Sequence, residues 1–535
     1  MVILGIHGGF TLGQHDAGAA LIKDGKVIAV CEEERFLKIK AARGQMPIFA
    51  INACLKEAGL KMKDVDLVLC PGATYEKMEE RLGLFFKHYF HHQPKIQLVN
   101  HQLAHLASTY YASGYSEAMC VSYDFRGDRL SCALGVGKGD TIEVLETYEA
   151  ENSLGMFYAM ITQHMGFSIG EDEYKLMGLA PYGEDKYDLS PILKITDQGY
   201  EVNMDFVRKS PPISSSVEPI YSEKLNELLG APRLPSEPIT QRHKDIAHSA
   251  QKHLEKALNH LITKFYERTK IANLCVAGGV ALNCSANGKI RALPFLKKMF
   301  VQPASSDRGL PLGCAYIGSM QTGHRPEVLT SVYMGPTYTD EEVKNALTLT
   351  GLTFKKSENT AQEAAGLLAK GKVIGWFQGR SEFGPRALGN RSILADPRAP
   401  HMKDVVNKKI KFREEFRPFA PACLEEAGQE IFDLSAPSPF MTYAVQVRDG
   451  YKSQVASTTH VDNSARVQTV SAKTNPRFHA LISEFNKITG TPVVLNTSFN
   501  VKGQPIVETA LDAVATFAST GIDALFVHDY VLYKS

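Results

Sequence analysis

A chain of 535 residues with 44% hydrophobic and 22% charged side chains can build more than one apolar core and is too apolar to be a disordered protein. Its 59 basic and 58 acidic residues leave a net charge of +1, which excludes a global cationic field for nucleic acid or an anionic membrane; any anion site must be local. No apolar run approaches the roughly 18 residues that span a bilayer, and the nine cysteines never form a Cys-x-x-Cys pair. A cysteine-based zinc site is therefore not expected, and a reduced, cytoplasmic setting is.

The chain opens as a strand over residues 2–6, with no basic and apolar leader before it. A glycine-rich turn follows, carrying His15-Asp16. A histidine there can take a proton from an alcohol; the alternative is a pair that caps the turn. Residues 19–23 and 26–30 flank Asp24-Gly25, a hairpin signature. The same pattern returns at 118–123, with Asp124 at the strand end, then 130–136, a glycine turn at 137–140, and 141–145. Two copies predict two similar α/β lobes, with helices around 47–59 and His101–Ser113 between them.

On the second helix, His101 and His105 are spaced i, i+4 and share one face, which suits metal ligation or a polar helix surface. Asp124 and Asp307 could add two oxygens, making a mixed site for iron, manganese, zinc or magnesium; each Asp could equally serve only its own turn. Lys175 could touch a phosphate or carbamoyl oxygen, or stand in solvent. Residues 185–240 are rich in proline, serine and charge and are expected to form an insertion or lid-like loop. A long helix over 244–270 precedes the strand Asn273–Ala277. The turn from Gly278-Gly279 to Asn283 then offers bare backbone to a nucleotide or tight strand–helix packing.

A boundary is expected between 323 and 360, giving domains 1–350 and 351–535. In the second, 361–369 reads as helix and 373–377 as strand. Arg380, Arg386 and Arg391 lie among glycines and a proline, and Lys411, Arg413 and Arg417 follow. Arginines on such stiff backbone favour a bidentate grip on phosphate or carboxylate. Lys408 and Lys409 are assigned to the solvated surface. Residues 453–473 read as a loop or edge hairpin, and 493–495 as a strand ending in the donors Asn496, Thr497 and Ser498, where open α/β sheets hold ligands.

These motifs, in order along almost the whole chain, resemble the O-carbamoyltransferases of the nodulation and antibiotic-tailoring group. The resemblance rests on His15-Asp16, Glu32-Glu33-Glu34-Arg35, His101-x-x-x-His105, 175–183, 278–283, 382–392, 407–421, His460-Val461-Asp462 with 466–470, and 495–507. It implies an α/β (α+β) fold: an actin-like ATPase domain of duplicated RNase H-like lobes, then a domain similar to threonylcarbamoyl-AMP synthases. It further implies carbamoyl-AMP made from carbamoyl phosphate and ATP, then carbamoyl transfer to a hydroxyl of a small-molecule secondary metabolite. His101, His105, Asp124 and Asp307 become metal ligands, with iron first among the candidates. His15 becomes the base beside Asp16, with Lys175 as a further catalytic candidate. Gly278, Gly279 and Asn283 line the nucleotide. Arg386, Lys411, Arg413, Arg417, Asn496 and Ser498 bind carbamoyl phosphate or the adenylate. A homodimer is a family expectation; nucleic acid and membrane partners are not expected. One departure is Asp124-Phe125-Arg126-Gly127-Asp128, where the family often has Asp-Gly-x-Gly-Asp. The competing readings are transfer to tRNA or a maturation protein, and a nucleotide-binding regulator without catalysis.

Overall fold

Asp24 and Gly25 both adopt positive φ, 49° and 82°, the geometry that a two-residue hairpin turn matching strand twist requires. The strand Gly18–Lys23 accordingly pairs antiparallel with Lys26–Glu32 on one side and Val2–His7 on the other. The computed structural model describes residues 1–209 and 218–534. It forms two compact units: Met1–Asp66, Phe85–Pro94 and Leu329–Ser535 in one, Leu67–Leu84 and Lys95–Val328 in the other. The first unit is discontinuous, so its composition differs from a simple division into 1–350 and 351–535.

In the second unit, Glu117–Gly127, Leu130–Lys138 and Thr141–Glu149 form an antiparallel meander. Asn273–Ala277 and Lys298–Val301 then add parallel to the first of these strands. Three meandering strands followed by two parallel ones on the far side of the first is the RNase H-like order. The helices His101–Ser113 and Leu310–Gln321 pack closely because position 313 is glycine: a Cβ there would lie 2.0 Å from the Ala104 carbonyl oxygen.

The segment expected as a lid-like loop over 185–240 is mostly docked structure, apart from 210–217, which lie outside the described residues. It contains the hairpin Leu193–Thr196 and Gly199–Val202 and the helix Glu223–Leu229. Tyr200 stacks on Tyr148 at 4.7 Å, and the buried Arg233 donates to the Met165 carbonyl at 2.7 Å. Composition signalled exposure; a few buried apolar and arginine anchors override it.

The first unit also holds an eight-stranded mixed sheet, ordered Lys355–Lys356, Tyr530–Tyr533, Ala524–Val527, Ile374–Phe377, Arg391–Ala395, Val493–Ser498, Ala420–Leu424, Gln468–Val470. Thr360–Ala369 and Pro476–Thr489 cover one face, Asp340–Leu349 and Ala510–Ser519 the other. The stretch 453–473 supplies the edge strand Gln468–Val470, parallel to Ala420–Leu424. Among the described residues, no helix is long and apolar enough to cross a membrane.

Candidate functional site

The histidine helix begins at Asn100, whose side chain accepts the Gln102 and Leu103 N–H groups. That cap fixes the first turn, so His101 and His105 present parallel positions one turn apart, with ring centroids 4.8 Å apart. Both are buried. Asp124 lies in the long first strand of the meander, and Asp307 opens the turn before Leu310–Gln321. His101 Nε2 stands 3.1 Å from Asp124 Oδ2 and 3.5 Å from Asp307 Oδ1. His105 Nε2 is 3.6 and 3.7 Å from the same two oxygens. One ligand atom from each of the four residues lies within 4.8 Å of the others. His105 is fully buried, yet neither ring nitrogen has a hydrogen-bond partner among the described residues. Two imidazoles and two carboxylates converging on one point, with an unsatisfied buried nitrogen among them, fit a divalent cation.

Charge follows the same geometry. Burial opposes a charged His101, but the carboxylates of Asp307 and Asp124 overcome it and hold the imidazole up at about 10. Burial likewise opposes the Asp124 carboxylate, and His101 and His105 prevail, holding it well below its ordinary range.

Neighbouring backbone completes the cluster. Asp124 Oδ1 accepts the Gly279 N–H at 2.9 Å. Gly278 takes φ 91°, and a Cβ on it would meet the Tyr123 carbonyl oxygen at 2.3 Å, so that turn admits only glycine. Asn283 is buried: its Oδ1 caps the next helix at the Ala286 N–H, and its amide pairs with Gln251, which also accepts the Tyr158 hydroxyl. Lys175 is buried rather than solvent-exposed, paired with Asp172 at 3.0 Å over the Phe167 ring. Asp128 accepts four backbone N–H groups, from Gly72, Ala73, Thr74 and His101, anchoring a loop to the start of the histidine helix. The sequence marked Asp128 only as the last acid of Asp124-Phe125-Arg126-Gly127-Asp128, without this role.

In the first unit, His15 Nδ1 lies 3.3 Å from Asp16 Oδ2. Asp16 sits at φ 57°, held by its N–H to the Ala41 carbonyl, and Ala41 itself is at φ 58°. Strained non-glycine backbone of this kind concentrates at functional sites.

The basic cluster lies in the same unit. Asn407–Lys411 winds as a π-helix and ends at Phe412 in the left-handed region, φ 48°. Lys411 is thereby turned inward. Its Nζ donates to the Ser498 carbonyl at 2.7 Å, Ser498 Oγ at 3.2 Å, and the Asn500 carbonyl and Oδ1 at 2.9 and 2.5 Å. Burial first, then the charges of Arg413 and Arg417, push its ammonium well below its usual value. Arg413 rests over the Phe419 ring and donates Nε to Asn407 Oδ1; Arg417 is 3.6 Å from Glu414. Asn496 Nδ2 donates to the Ala387 carbonyl, tying the strand to the loop that carries Arg386. Glu382 Oε1 gathers the N–H groups of Leu388, Asn390 and Arg391 in that loop. Lys408 forms an exposed pair with Glu415. The sequence motifs 382–392 and 495–507 contain Glu382 and Asn500 but assigned them no role, although Ser498-Phe499-Asn500, alternating at a strand end, puts Asn500 on the Ser498 side.

One unit has an RNase H-like strand order and a buried His/Asp cluster, and the other a mixed sheet and a buried lysine–arginine corner; together they define an α/β protein with two candidate sites. The family model described as "Carbamoyltransferase N-terminus" matches residues 2–95 and 72–316, and "Carbamoyltransferase C-terminus" matches 365–534. The chain belongs to the carbamoyltransferase family and is an enzyme of that type. It is 38% identical to nodulation protein NolNO of Sinorhizobium fredii over 97% of this chain and 79% of that one. To nodulation protein NolO of Bradyrhizobium diazoefficiens it is 40% identical, over 82% and 79%. Among solved structures, T. kodakarensis HypF matches 61% of this chain and 48% of its own at 16% identity and a TM-score of 0.33.

Proposed function

We propose that this carbamoyltransferase makes carbamoyl-AMP from carbamoyl phosphate and ATP, then transfers the carbamoyl group to a hydroxyl of a small-molecule natural product. The observation that carries the reading is Lys411. It is buried against four neutral oxygens, near Arg413 and Arg417, and makes no ion pair with a carboxylate among the described residues. A lysine so desolvated is stabilised by an anionic ligand. Water first cleaves carbamoyl phosphate to carbamate and phosphate; a carbamate oxygen then attacks the α-phosphorus of ATP, and the bond to the β-phosphate breaks as pyrophosphate leaves.

His101, His105, Asp124 and Asp307 would hold a divalent metal, iron first among the candidates, which when bound neutralises nucleotide phosphate charge. Gly278, Gly279 and Asn283 are assigned to the nucleotide, and Lys175 to a phosphate or carbamoyl oxygen. With Nδ1 facing Asp16, His15 keeps Nε2 as the proton acceptor. The acceptor oxygen attacks the carbamoyl carbon, the bond to the AMP oxygen breaks, and the hydroxyl proton passes to His15 Nε2.

The test is pyrophosphate release from ATP on adding carbamoyl phosphate. Arg413→Ala is expected to lower it by about 100-fold or more, as loss of a phosphate-gripping arginine does. Release at the wild-type rate would remove Arg413 from the site; no release by the wild type would remove the adenylate.

A further inference from the structure

The strand that carries Asp124 into the histidine–aspartate cluster is irregular at that point. Tyr123 pairs with Cys132 and Gly127 with Leu130, so Asp124, Phe125 and Arg126 together oppose Ser131 alone. Bulges of this kind re-aim side chains beside functional sites. The backbone of this one is clamped. Ser153 Oγ donates to the Asp124 carbonyl at 3.0 Å and to the Phe125 carbonyl at 2.7 Å. Gly155 lets the next helix close on it, since a Cβ at that position would lie 2.7 Å from the Phe125 Cα.

Arg126 is exposed, with its guanidinium 5.8 Å from the centroid of the Phe125 ring. Among the described residues that guanidinium makes no hydrogen bond or ion pair. The neighbouring acids have other partners. Asp124 and Asp307 face His101 and His105, and Asp128 accepts four backbone N–H groups and the Thr74 hydroxyl. Tyr75, exposed in the loop that Asp128 anchors, shows what the guanidinium reaches. Burial first, then the carboxylates of Asp128 and Asp307, raise its phenol, and Arg126 lowers it. One hydroxyl therefore lies within electrostatic reach of both Asp307 in the cluster and Arg126. The turn assigned to the nucleotide comes from a different element: Gly279, after the strand Asn273–Ala277, holds Asp124 Oδ1. Arg126 and Tyr75 thus frame a second approach to the same cluster.

We propose that Arg126, with the Tyr75 hydroxyl, grips a carboxylate or phosphate on the acceptor, so that the carbamoyl group goes to a hydroxyl of an anionic small molecule. The inference rests on the carbamoyl-transfer reading and narrows its acceptor. A guanidinium whose donors are uncommitted holds either oxyanion in a bidentate pair, and the phenol adds one more donor. The cation–π contact with Phe125 keeps the guanidinium in place without using those donors. A cationic acceptor would be repelled at the same point.

The test divides the small molecules of the cells that make the protein on an anion exchanger at neutral pH. The retained and the unretained fraction are each given to the full-length enzyme with ATP and carbamoyl-labelled carbamoyl phosphate, and pyrophosphate and acid-stable labelled product are measured together. The expected result is enzyme-dependent product from the retained fraction and none from the unretained one. Arg126→Gln should raise the half-saturating amount of the retained fraction about ten-fold or more, the worth of hydrogen bonds to a charged group. The saturated rate of transfer per pyrophosphate released should hold, and Arg126→Lys should recover part of the loss. Product from the unretained fraction, or none from the retained one while pyrophosphate is released, overturns the inference and leaves adenylate formation standing. A saturated rate that falls while the half-saturating amount holds overturns it as well, because Arg126 would then serve the nucleotide phosphate. If no pyrophosphate is released, the adenylate reading falls and the inference with it.

Discussion

Single positions decide whether the histidine–aspartate cluster can form. A Cβ at Gly127 would come within 2.2 Å of the His101 ring, so the glycine of Asp124-Phe125-Arg126-Gly127-Asp128 is fixed by the imidazole packed on it. Gly127→Ala must displace His101 or bend the strand. Metal affinity, measured by elemental analysis after equilibrium dialysis, is expected to fall about 10–100-fold, the range for disturbed support of a ligand. Pyrophosphate release should change little, since Lys411 and Arg413 belong to the other unit. His105→Ala removes one of the four proposed ligands outright. Transfer to the acceptor should vanish while pyrophosphate release continues; stoichiometric metal retained in this variant would dismiss the four residues as its holders.

At the scale of elements, the acidic run Glu32-Glu33-Glu34 gives each carboxylate a separate structural task. Glu33 accepts the Phe49 and Ala50 N–H groups, capping the helix Ile48–Ala58 from outside, because Pro47 provides no side-chain cap. Burial pushes its carboxyl up to about 7, and the helix N–H groups offset only part of that. A folded value above the unfolded one means that stability is fully present below about pH 4.5 and is lost as pH rises through about 7. The loss is on the order of 3 kcal/mol at pH 8. Urea midpoints followed by Trp376, in the same unit, should therefore drop between pH 5 and 8, and Glu33→Gln should flatten that slope. An equally steep slope in the variant would assign it to another group. Elements of this kind were legible where local rules govern them. The Asp24-Gly25 hairpin, the His101–Ser113 helix and the glycine turn at 278–279 follow from φ preferences and periodicity. The tasks of Glu33, Asp128 and Glu382 were not legible inside the motifs that contain them, because Glu33 and Asp128 bond backbone distant in sequence and Glu382 closes an irregular loop that no periodicity describes. The burial of Lys175 was undecided for the same reason: the Phe167 ring and Asp172 that enclose it are placed by the fold.

The chain as a whole places its first residues and its last in one compact unit, and Arg35 explains part of why. Its Nε donates to Glu32 Oε2 at 2.9 Å and its Nη2 to the Gly384 carbonyl at 2.7 Å, while the Gly384 N–H donates back to Glu32 Oε1 at 3.0 Å. Arg380 reaches in the same direction, to the carbonyls of Ile28 and Met334. The loop carrying Arg386 is thus gripped at both the N–H and the carbonyl of Gly384 by residues some 350 positions earlier. Cutting the chain at 350 would remove every one of those partners. Arg35→Ala leaves Glu32 buried without its cation, which destabilises by about 3–5 kcal/mol. Its urea midpoint should fall accordingly, and pyrophosphate release should fall with it as Arg386 loses its support. Arg35→Lys can hold Glu32 or Gly384 but not both in the same fork, and should recover only part of each. The fragment 351–535, which has neither Glu32 nor Arg35, should release no pyrophosphate from carbamoyl phosphate and ATP. If that fragment works at the full-length rate, the grip of the amino-terminal strands on the loop is dispensable, and the carboxy-terminal sheet is a self-sufficient catalyst.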